Sequence, residues 1–587
     1  MENNIVKVCL WGQTVGEIYW DERRKQSCFS FSKDFVSKGI DIAPLTASIY
    51  NPLLAQGEVY LGNKKELYKG LPEFLADSLP DNWGERVMKH WFDHYGTKRH
   101  LTPVDALSLM GKRSMGAFEF EPYIEKWEKT TDIQLTDLYK LADAIMEESV
   151  LPDGEDALIN LQKLFSVGTS AGGKRPKAII AIDKETGEVK AGHGQLPANY
   201  THYILKFNER QSFPTTLLEK TYYDMAVRAG IEMMPSALME IDGLPNFITQ
   251  RFDRGEDKIH TQTLAAMTPD ADSYEDLFKV ARKLGVPYIE QERLFRQAVF
   301  NVLGDNLDDH SKNFSFMMKK TGEWHMTPAY DLCFTYDLTG MGYANRHEMT
   351  LCGKDRDITR EDLLRFGNEN DIRNAKSLIN DVADILMSFK EYALNNGVSS
   401  VYADVIQKAL ARNIGINYET KMVPQNEGNN EEENIFDSIS ILGNKGKYVI
   451  SARYHGKDLP KERIIQEDYL AYSYKLATKQ QLANKYLGER AKRINDKEFI
   501  VKVAVSLTNA TYPQEVLSEE VIKKIQDFFS VYKSIEEKEN ALNKIWQEAE
   551  KLPETNKAGK WLSDAKEVLH EIAVGDDGPK RSPGLKV

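Results

Sequence analysis

Cysteine is scarce in this 587-residue chain. There are four (Cys9, Cys28, Cys333 and Cys352), none in a Cys-x-x-Cys pair, which argues against a disulfide framework and against a zinc site and suits a reduced cytoplasm. Apolar runs long enough to span a membrane are missing as well. The opening Met1-Glu2-Asn3-Asn4-Ile5-Val6 lacks a basic region followed by an apolar one, so no signal peptide is expected. Positive charge is in deficit: the net charge of −13 argues against the chain as a whole binding nucleic acid, with a local basic patch left open. Apolar content is ordinary, at 41%, and the length exceeds what one core organises, so two or three domains are expected.

The chemistry concentrates in Asp308-Asp309-His310-Ser311-Lys312-Asn313, followed by Pro328-Ala329-Tyr330-Asp331. Phosphoryl transfer in kinases uses a carboxylate for the substrate hydroxyl proton, an amide oxygen on one Mg²⁺ and a second carboxylate on another, with the first two spaced Asp-x4-Asn. Asp308 and Asn313 have that spacing. Asp331 follows a strand-like stretch (Phe314 to Met318) and a Thr321-Gly322 turn. Alone, Asp-x4-Asn is a weak signal, and it gains force only from other parts upstream.

Those parts are present in order. Phe165 to Lys177 is glycine-rich, with Gly168, Thr169, Ser170, Ala171, Gly172 and Gly173 able to bring backbone N–H groups close to phosphate oxygens. Gly168 to Lys174 nearly fits a Walker A loop, but Arg175-Pro176 and then the apolar Lys177 to Ile182 follow instead of a Ser or Thr opening a helix. The loop is therefore expected to join two strands. His202 to Phe207 reads as a strand carrying Lys206, a lysine that burial disfavours unless an anion compensates it. The helix expected from about Thr216 to Ala229, ended by Gly230, puts Glu219 where it can pair with Lys206. A strand pair turning at Asp242-Gly243 leads to Ile248 to Asp253, where an inter-lobe hinge would read adenine through backbone groups.

With these residues on the page, the chain resembles the HipA family of bacterial serine/threonine kinases, the toxin halves of type II toxin–antitoxin pairs. The matching segments are Phe74 to Gly84, Leu107 to Gly111, Gly168 to Lys177, Lys206, Gln250-Arg251-Phe252-Asp253-Arg254, Asp308 to Phe314 and Pro328 to Asp331. The resemblance implies an α+β, two-lobed protein-kinase-like fold with an N-terminal α+β subdomain and a helical C-lobe, and ATP and Mg²⁺ as cofactors. It implies Asp308 as the catalytic carboxylate, Asn313 and Asp331 as Mg²⁺ ligands and Lys206 on the phosphates. Gln250, Phe252, His310 and Lys312 are placed at the nucleotide with Glu219 and the glycine-rich loop. It further implies autophosphorylation of that loop, at Ser170 with Thr169 and Ser166 as neighbours, expelling the loop and shutting the enzyme off.

The implied substrate is a protein such as an aminoacyl-tRNA synthetase. The implied partner is a small helix-turn-helix antitoxin through which DNA is reached indirectly. A cytoplasmic location and no membrane partner are expected. A nucleotide-binding corepressor and a small-molecule kinase are the competing functions.

The expected organisation is residues 1–125 as the N-terminal subdomain, 126–268 as N-lobe, 269–422 as C-lobe, 423–436 as a polar linker, 437–574 as a mixed α/β extension and 575–587 as a disordered tail. Tyr274 to Lys283, Glu290 to Leu303 and Asp371 to Asn395 show helical apolar spacing. Lys475 to Ala483 is similar to the first helix of a helix-turn-helix, but no recognition helix follows and a structural hairpin is favoured. His310 is read as orienting the catalytic loop by hydrogen bonding, Asp309 as a solvated neighbour, Lys174 and Arg175 as attracting phosphate, and Trp83 as core. The role of Lys177 stays open.

Overall fold

The computed structural model describes residues 5–95, 101–122, 133–147, 163–165, 167–168, 175–193, 196–210, 213–339, 345–415, 436–444, 447–510, 516–556 and 562–575. The chain divides into two compact units, Met1–Lys421 and Met422–Val587.

The first unit begins with an antiparallel five-stranded sheet in the order Tyr60–Leu61, Gln26–Phe31, Gln13–Asp21, Val6–Leu10, Phe118–Glu121. The amphipathic helix Asn82–Tyr95 leaves this subdomain and buries Trp83, Val87 and Trp91 in one core with Ala178, Ile180, Leu205 and Ile248 of the next sheet. Trp83 is thus the core residue expected. The second sheet is also antiparallel and five-stranded: Val189–Ala191, Lys177–Asp183, Tyr200–Lys206, Leu244–Gln250, Ser236–Ile241. Lys177–Asp183 pairs on both sides, which explains its nearly unbroken apolar run. The expected turn at Asp242-Gly243 is present, both residues having positive φ (54° and 73°). The helix Thr215–Arg228 crosses this sheet and ends with Gly230 at φ 78°.

The glycine-rich segment does not join two strands. Residues 163–165 and 167–168, which lead into it and form its start, are helical, and among the described residues the strand Lys177–Asp183 takes its partners from the chain that follows. Apolar Leu164, Phe165 and Val167 are buried as a helical turn against the Trp83 and Trp91 core, and that packing overrides the strand reading.

Below this sheet the unit is helical: Tyr274–Lys283, Tyr288–Leu303, Arg360–Glu369, Ala375–Leu386, Phe389–Asn395 and Ser400–Ile414. Asp371 to Asn395 is therefore two helices, interrupted at Met387-Ser388, and Asp371 itself lies outside them with φ 59°. A small sheet, His260–Thr263 with Ser315–Met318 and Trp324–Met326, turns at Gly322 (φ 88°) and carries the chain from the Asp308 loop toward Asp331.

The second unit opens with the hairpin Ser438–Asn444 and Lys447–Tyr454, the latter also pairing with Lys457–Asp458 and Glu462–Ile464. A 31-residue helix, Lys479–Asn509, follows, with Ile500, Ala504 and Leu507 in a core shared with Ile525, Phe529, Ile545 and Leu569. The helix-turn-helix resemblance ends here, and so does the hairpin. Lys475 is in a left-handed turn, and the helix begins at the Thr478/Gln481 capping box and runs on through Gly488. The linker expected at 423–436 falls, except for Phe436, outside the described residues, and the tail expected at 575–587 does so except for Gly575. No described helix is long and apolar enough to cross a membrane.

Candidate functional site

The helix Tyr288–Leu303 stops at Gly304, and Asp305 turns the chain with φ 51°. The Leu307 and Asp308 N–H groups then donate to Thr335 Oγ1 at 2.6 and 3.3 Å. Asn313 closes the loop by donating Nδ2 to the Asp308 carbonyl at 2.6 Å. Tyr330 ties down the far side, its hydroxyl donating to the Lys312 carbonyl at 2.9 Å. The Asp308 side chain is left 64% exposed. The spacing that pointed to Asp308 and Asn313 therefore corresponds to a real hydrogen-bonded loop.

Asp309 is not a solvated neighbour. It is fully buried and accepts from the Tyr274 hydroxyl (2.7 Å), His347 Nδ1 (2.8 Å) and the Glu348 and Met349 N–H groups (2.9 and 3.3 Å). His310 bonds within the loop only through its carbonyl, which accepts the Asn313 N–H at 2.8 Å, and not through its ring. Its Nε2 is 3.8 Å from Asp308 Oδ1, and its buried Nδ1 has no hydrogen-bond partner among the described residues.

Lys206, from the strand Tyr200–Lys206, donates to both Glu219 and Asp331. Burial disfavours its charge, but Asp331 and Glu219 outweigh that and hold the ammonium well above the usual lysine range. The reciprocal effect holds Asp331 ionised. Burial would raise its carboxyl, and Lys206, then Lys177, bring it below the ordinary value. Asp331 adopts a left-handed backbone (φ 56°), and His310 and Arg175 lie within its field. Arg175 is 3.6 Å from Glu209 and also feels Glu219.

Two residues were missed or left open. Lys177 Nζ meets Asp81 Oδ2 at 2.9 Å, in a pair almost wholly out of solvent. Burial lowers the lysine and raises the aspartate, and their mutual attraction offsets only part of that. Asp81 lies in the Phe74 to Gly84 motif, so the signal was there, but only the fold shows what it faces. That motif also supplies Asp77, which accepts from Thr263 N (2.8 Å) and Oγ1 (3.0 Å) beside Lys312.

At the hinge, the Gln250 N–H donates to the Pro235 carbonyl and the Arg251 N–H to that of His202, each at 2.9 Å. Neither donor is open to an adenine. Phe252 instead stacks on Tyr330, with centroids 6.0 Å apart. Asp253 accepts from Arg251 and Arg254 and from the Gly116 N–H, binding the hinge to the N-terminal subdomain. Gly168 packs on Trp83, where a Cβ would lie 3.3 Å from the indole nitrogen. Thr169, Ser170, Ala171, Gly172 and Gly173 lie outside the described residues, as do Ser166 and Lys174.

The donor set suits Mg²⁺, which takes one or two protein oxygens and completes its shell with phosphate and water. With Nδ2 of Asn313 committed to the Asp308 carbonyl, its Oδ1 is the side-chain atom left to meet a cation, and Asp331 is an ionised, partly exposed carboxylate. Among the described residues no cluster of three or more His, Cys, Asp or Glu is set to cage a metal by itself.

Residues 6–121 match the HipA N-terminal domain, and residues 169–389 match the HipA-like C-terminal domain. A curated relative, "Putative kinase Y4mE" of Sinorhizobium fredii, is 24% identical over 225 residues, which cover 35% of this chain and 50% of that one. The chain thus spans about half the length of the curated relative it matches. Among solved structures, HipA of the Shewanella oneidensis MR-1 toxin–antitoxin system, in complex with HipB and operator DNA, superposes with a TM-score of 0.50. It is 17% identical, covering 70% of this chain and 98% of that one, which speaks to fold alone. The Helicobacter pylori proinflammatory kinase CtkA matches at a TM-score of 0.29 and 14% identity over 37% of this chain and 85% of that one, too little to carry an argument.

Proposed function

The chain belongs to the HipA family, and on that premise we propose that it is an ATP-dependent serine/threonine protein kinase. The observation that carries this is the convergence of Lys206, Glu219 and Asp331, together with a loop whose Asn313 amide is held by its Nδ2 on the Asp308 carbonyl. Lys206 is paired and charged, ready to exchange carboxylate contact for phosphate oxygens. Asn313 and Asp331 would hold Mg²⁺, which when bound neutralises charge developing on the transferred phosphoryl group. Asp308, its side chain exposed, receives the proton of the incoming hydroxyl and orients it. Tyr330, Thr335 and Asn313 keep that loop in place, so positioning supplies most of the catalysis.

Transfer of labelled γ-phosphate by the purified chain tests the reading. Asp331→Ala and Asp308→Ala are each expected to lower the rate on the order of 10³-fold or more. Wild-type rates in both would end the assignment.

The remaining parts of the reading come from the family. The substrate is a translation component such as an aminoacyl-tRNA synthetase. The partner is a small helix-turn-helix antitoxin, as the HipB of the Shewanella complex suggests, with DNA reached only through it. The work is done in the cytoplasm. Ser170, between Gly168 and Gly172 in the sequence, is the autophosphorylation site, and the roughly −1.5 to −2 charge added there beside the phosphate site would expel the loop. Mass spectrometry after incubation with Mg²⁺-ATP checks it: phosphate only on Thr169 or Ser166 moves the site, and none on the loop removes it.

A further inference from the structure

The sheet of the second unit has two unlike edges. Beyond Lys447–Tyr454 on one side stand Lys457–Asp458 and Glu462–Ile464. Both are short, and four of their five residues are charged, which are two of the devices that keep an edge from pairing with another chain. The other side ends at Ser438–Asn444, a seven-residue strand Ser-Ile-Ser-Ile-Leu-Gly-Asn with neither charge nor proline. Its register runs unbroken from Ser438 opposite Arg453 to Asn444 opposite Lys447, so no bulge twists it away. Among the described residues no strand pairs with its outer edge.

The core thins in the same direction. Ile450 and Ala452 are buried, but the residues directly opposite them, Ile441 and Ile439, are only half-buried. Leu442, on the other face, is 65% exposed. One more strand would cover these side chains and satisfy the N–H and C=O groups that an edge strand turns outward.

The chain just before this strand is a poor candidate to be that strand. Pro424 to Asn434 carries four glutamates and no β-branched residue. A second copy fits better, because an antiparallel pair about a two-fold axis matches a strand to itself. The ends are complementary as well. The strand is entered from the exposed Asp437 and leads round to the exposed Lys447, so each copy's acidic end meets the other's basic end.

We propose that two copies of this chain associate through Ser438–Asn444, joining their sheets into one. Full overlap of the strand with itself sets Ile441 opposite Ile441 and Leu442 opposite Ser440. The association goes beyond the kinase reading and does not depend on it.

Sedimentation of the full chain tests the pairing: the wild type is expected to pass from one chain mass to two as concentration rises. Leu442→Lys changes an exposed position, so each copy should stay folded. Its two lysines would lie diagonally across the joint, and dimer affinity is expected to fall about 10-fold or more, since each pair lost is lost twice. Ile441→Cys should cross-link two chains on mild oxidation, because opposed Cα atoms lie about 4.5–5.5 Å apart, within disulfide reach. Ser438→Cys should not, its counterpart being about 20 Å away; the wild type controls for the four native cysteines. A wild type that stays monomeric up to its solubility limit would overturn the proposal. A dimer that Leu442→Lys leaves at full affinity would do the same, and this variant decides the matter if Ile441→Cys fails to fold. Cross-linking as strong through Ser438→Cys as through Ile441→Cys would overturn the two-fold pairing. Phosphoryl transfer by the wild type stands or falls separately.

Discussion

The Asp309 carboxylate, one residue from an exposed Asp308, is sealed in the protein with four donors directed at it. Removing it strands a tyrosine hydroxyl, a histidine and two backbone N–H groups, each costing about 1–3 kcal/mol when buried unmet. Asp309→Ala is therefore expected to destabilise the chain by at least about 3 kcal/mol, seen as a lowered thermal midpoint, and to slow phosphoryl transfer by loosening the loop. An unchanged midpoint would refute the role. The sequence made Asp308 legible because its partner Asn313 is five residues on. Asp309 was illegible because Tyr274 and His347 lie 35 and 38 residues away.

Asp305 offers a pH test at the same scale. Its Oδ1 accepts from Asn413 Nδ2 at 3.1 Å, its Oδ2 has no partner among the described residues, and burial pushes its carboxyl up to about 7. A folded value above the unfolded one, near 4, means that the folded state holds the proton more tightly, so this group lowers stability as pH rises between those values. Asp305→Asn should flatten the fall in thermal midpoint between pH 5 and pH 7.5 and leave the variant at least as stable at the upper end. Asn also tolerates the left-handed φ of 51° at this position. A slope as steep as wild type would show that another group titrates.

Among elements, the helix Tyr288–Leu303 matters most because the catalytic loop hangs from its end. Its last carbonyls are met from the helix Ser400–Ile414, where Asn413 Nδ2 donates to Val302 O at 2.7 Å and to Leu303 O at 3.3 Å. Asn413→Ala should cost about 1–2 kcal/mol and lower the transfer rate more than the affinity for ATP. Parallel losses would point to general unfolding instead. Periodicity found this helix, the strands around Lys177 and Lys206, and the turn at Asp242-Gly243, where each apolar pattern agrees with the final packing. It failed where packing or a cap decides. Nothing apolar distinguishes Met387-Ser388 as a break, and Leu164 to Val167 look alike as strand or helix until Trp83 and Trp91 are set beside them. The start of Lys479–Asn509 was readable from Thr478 and Gln481, a capping-box pair.

At the scale of the whole molecule, the question is how much chain the catalytic unit needs. Both family matches end by residue 389, but the cap on the catalytic-loop helix comes from Asn413, and Tyr402, Val405, Ile406 and Leu410 are buried along the helix that carries it. The second unit keeps a separate core, built from Lys479–Asn509 and the helices after it. A fragment ending at Lys421 should therefore melt as the first unit does in the full chain and transfer phosphate at the full-chain rate. A fragment ending at Val398 should lose cooperative melting, because it removes those four buried side chains at about 1.5–3 kcal/mol each for the aliphatic ones from a margin of roughly 5–15 kcal/mol. Residues 436–575 should melt cooperatively by themselves. If the Lys421 fragment folds but no longer binds Mg²⁺-ATP, the second unit contributes to the site, and the independence argued from the two cores fails.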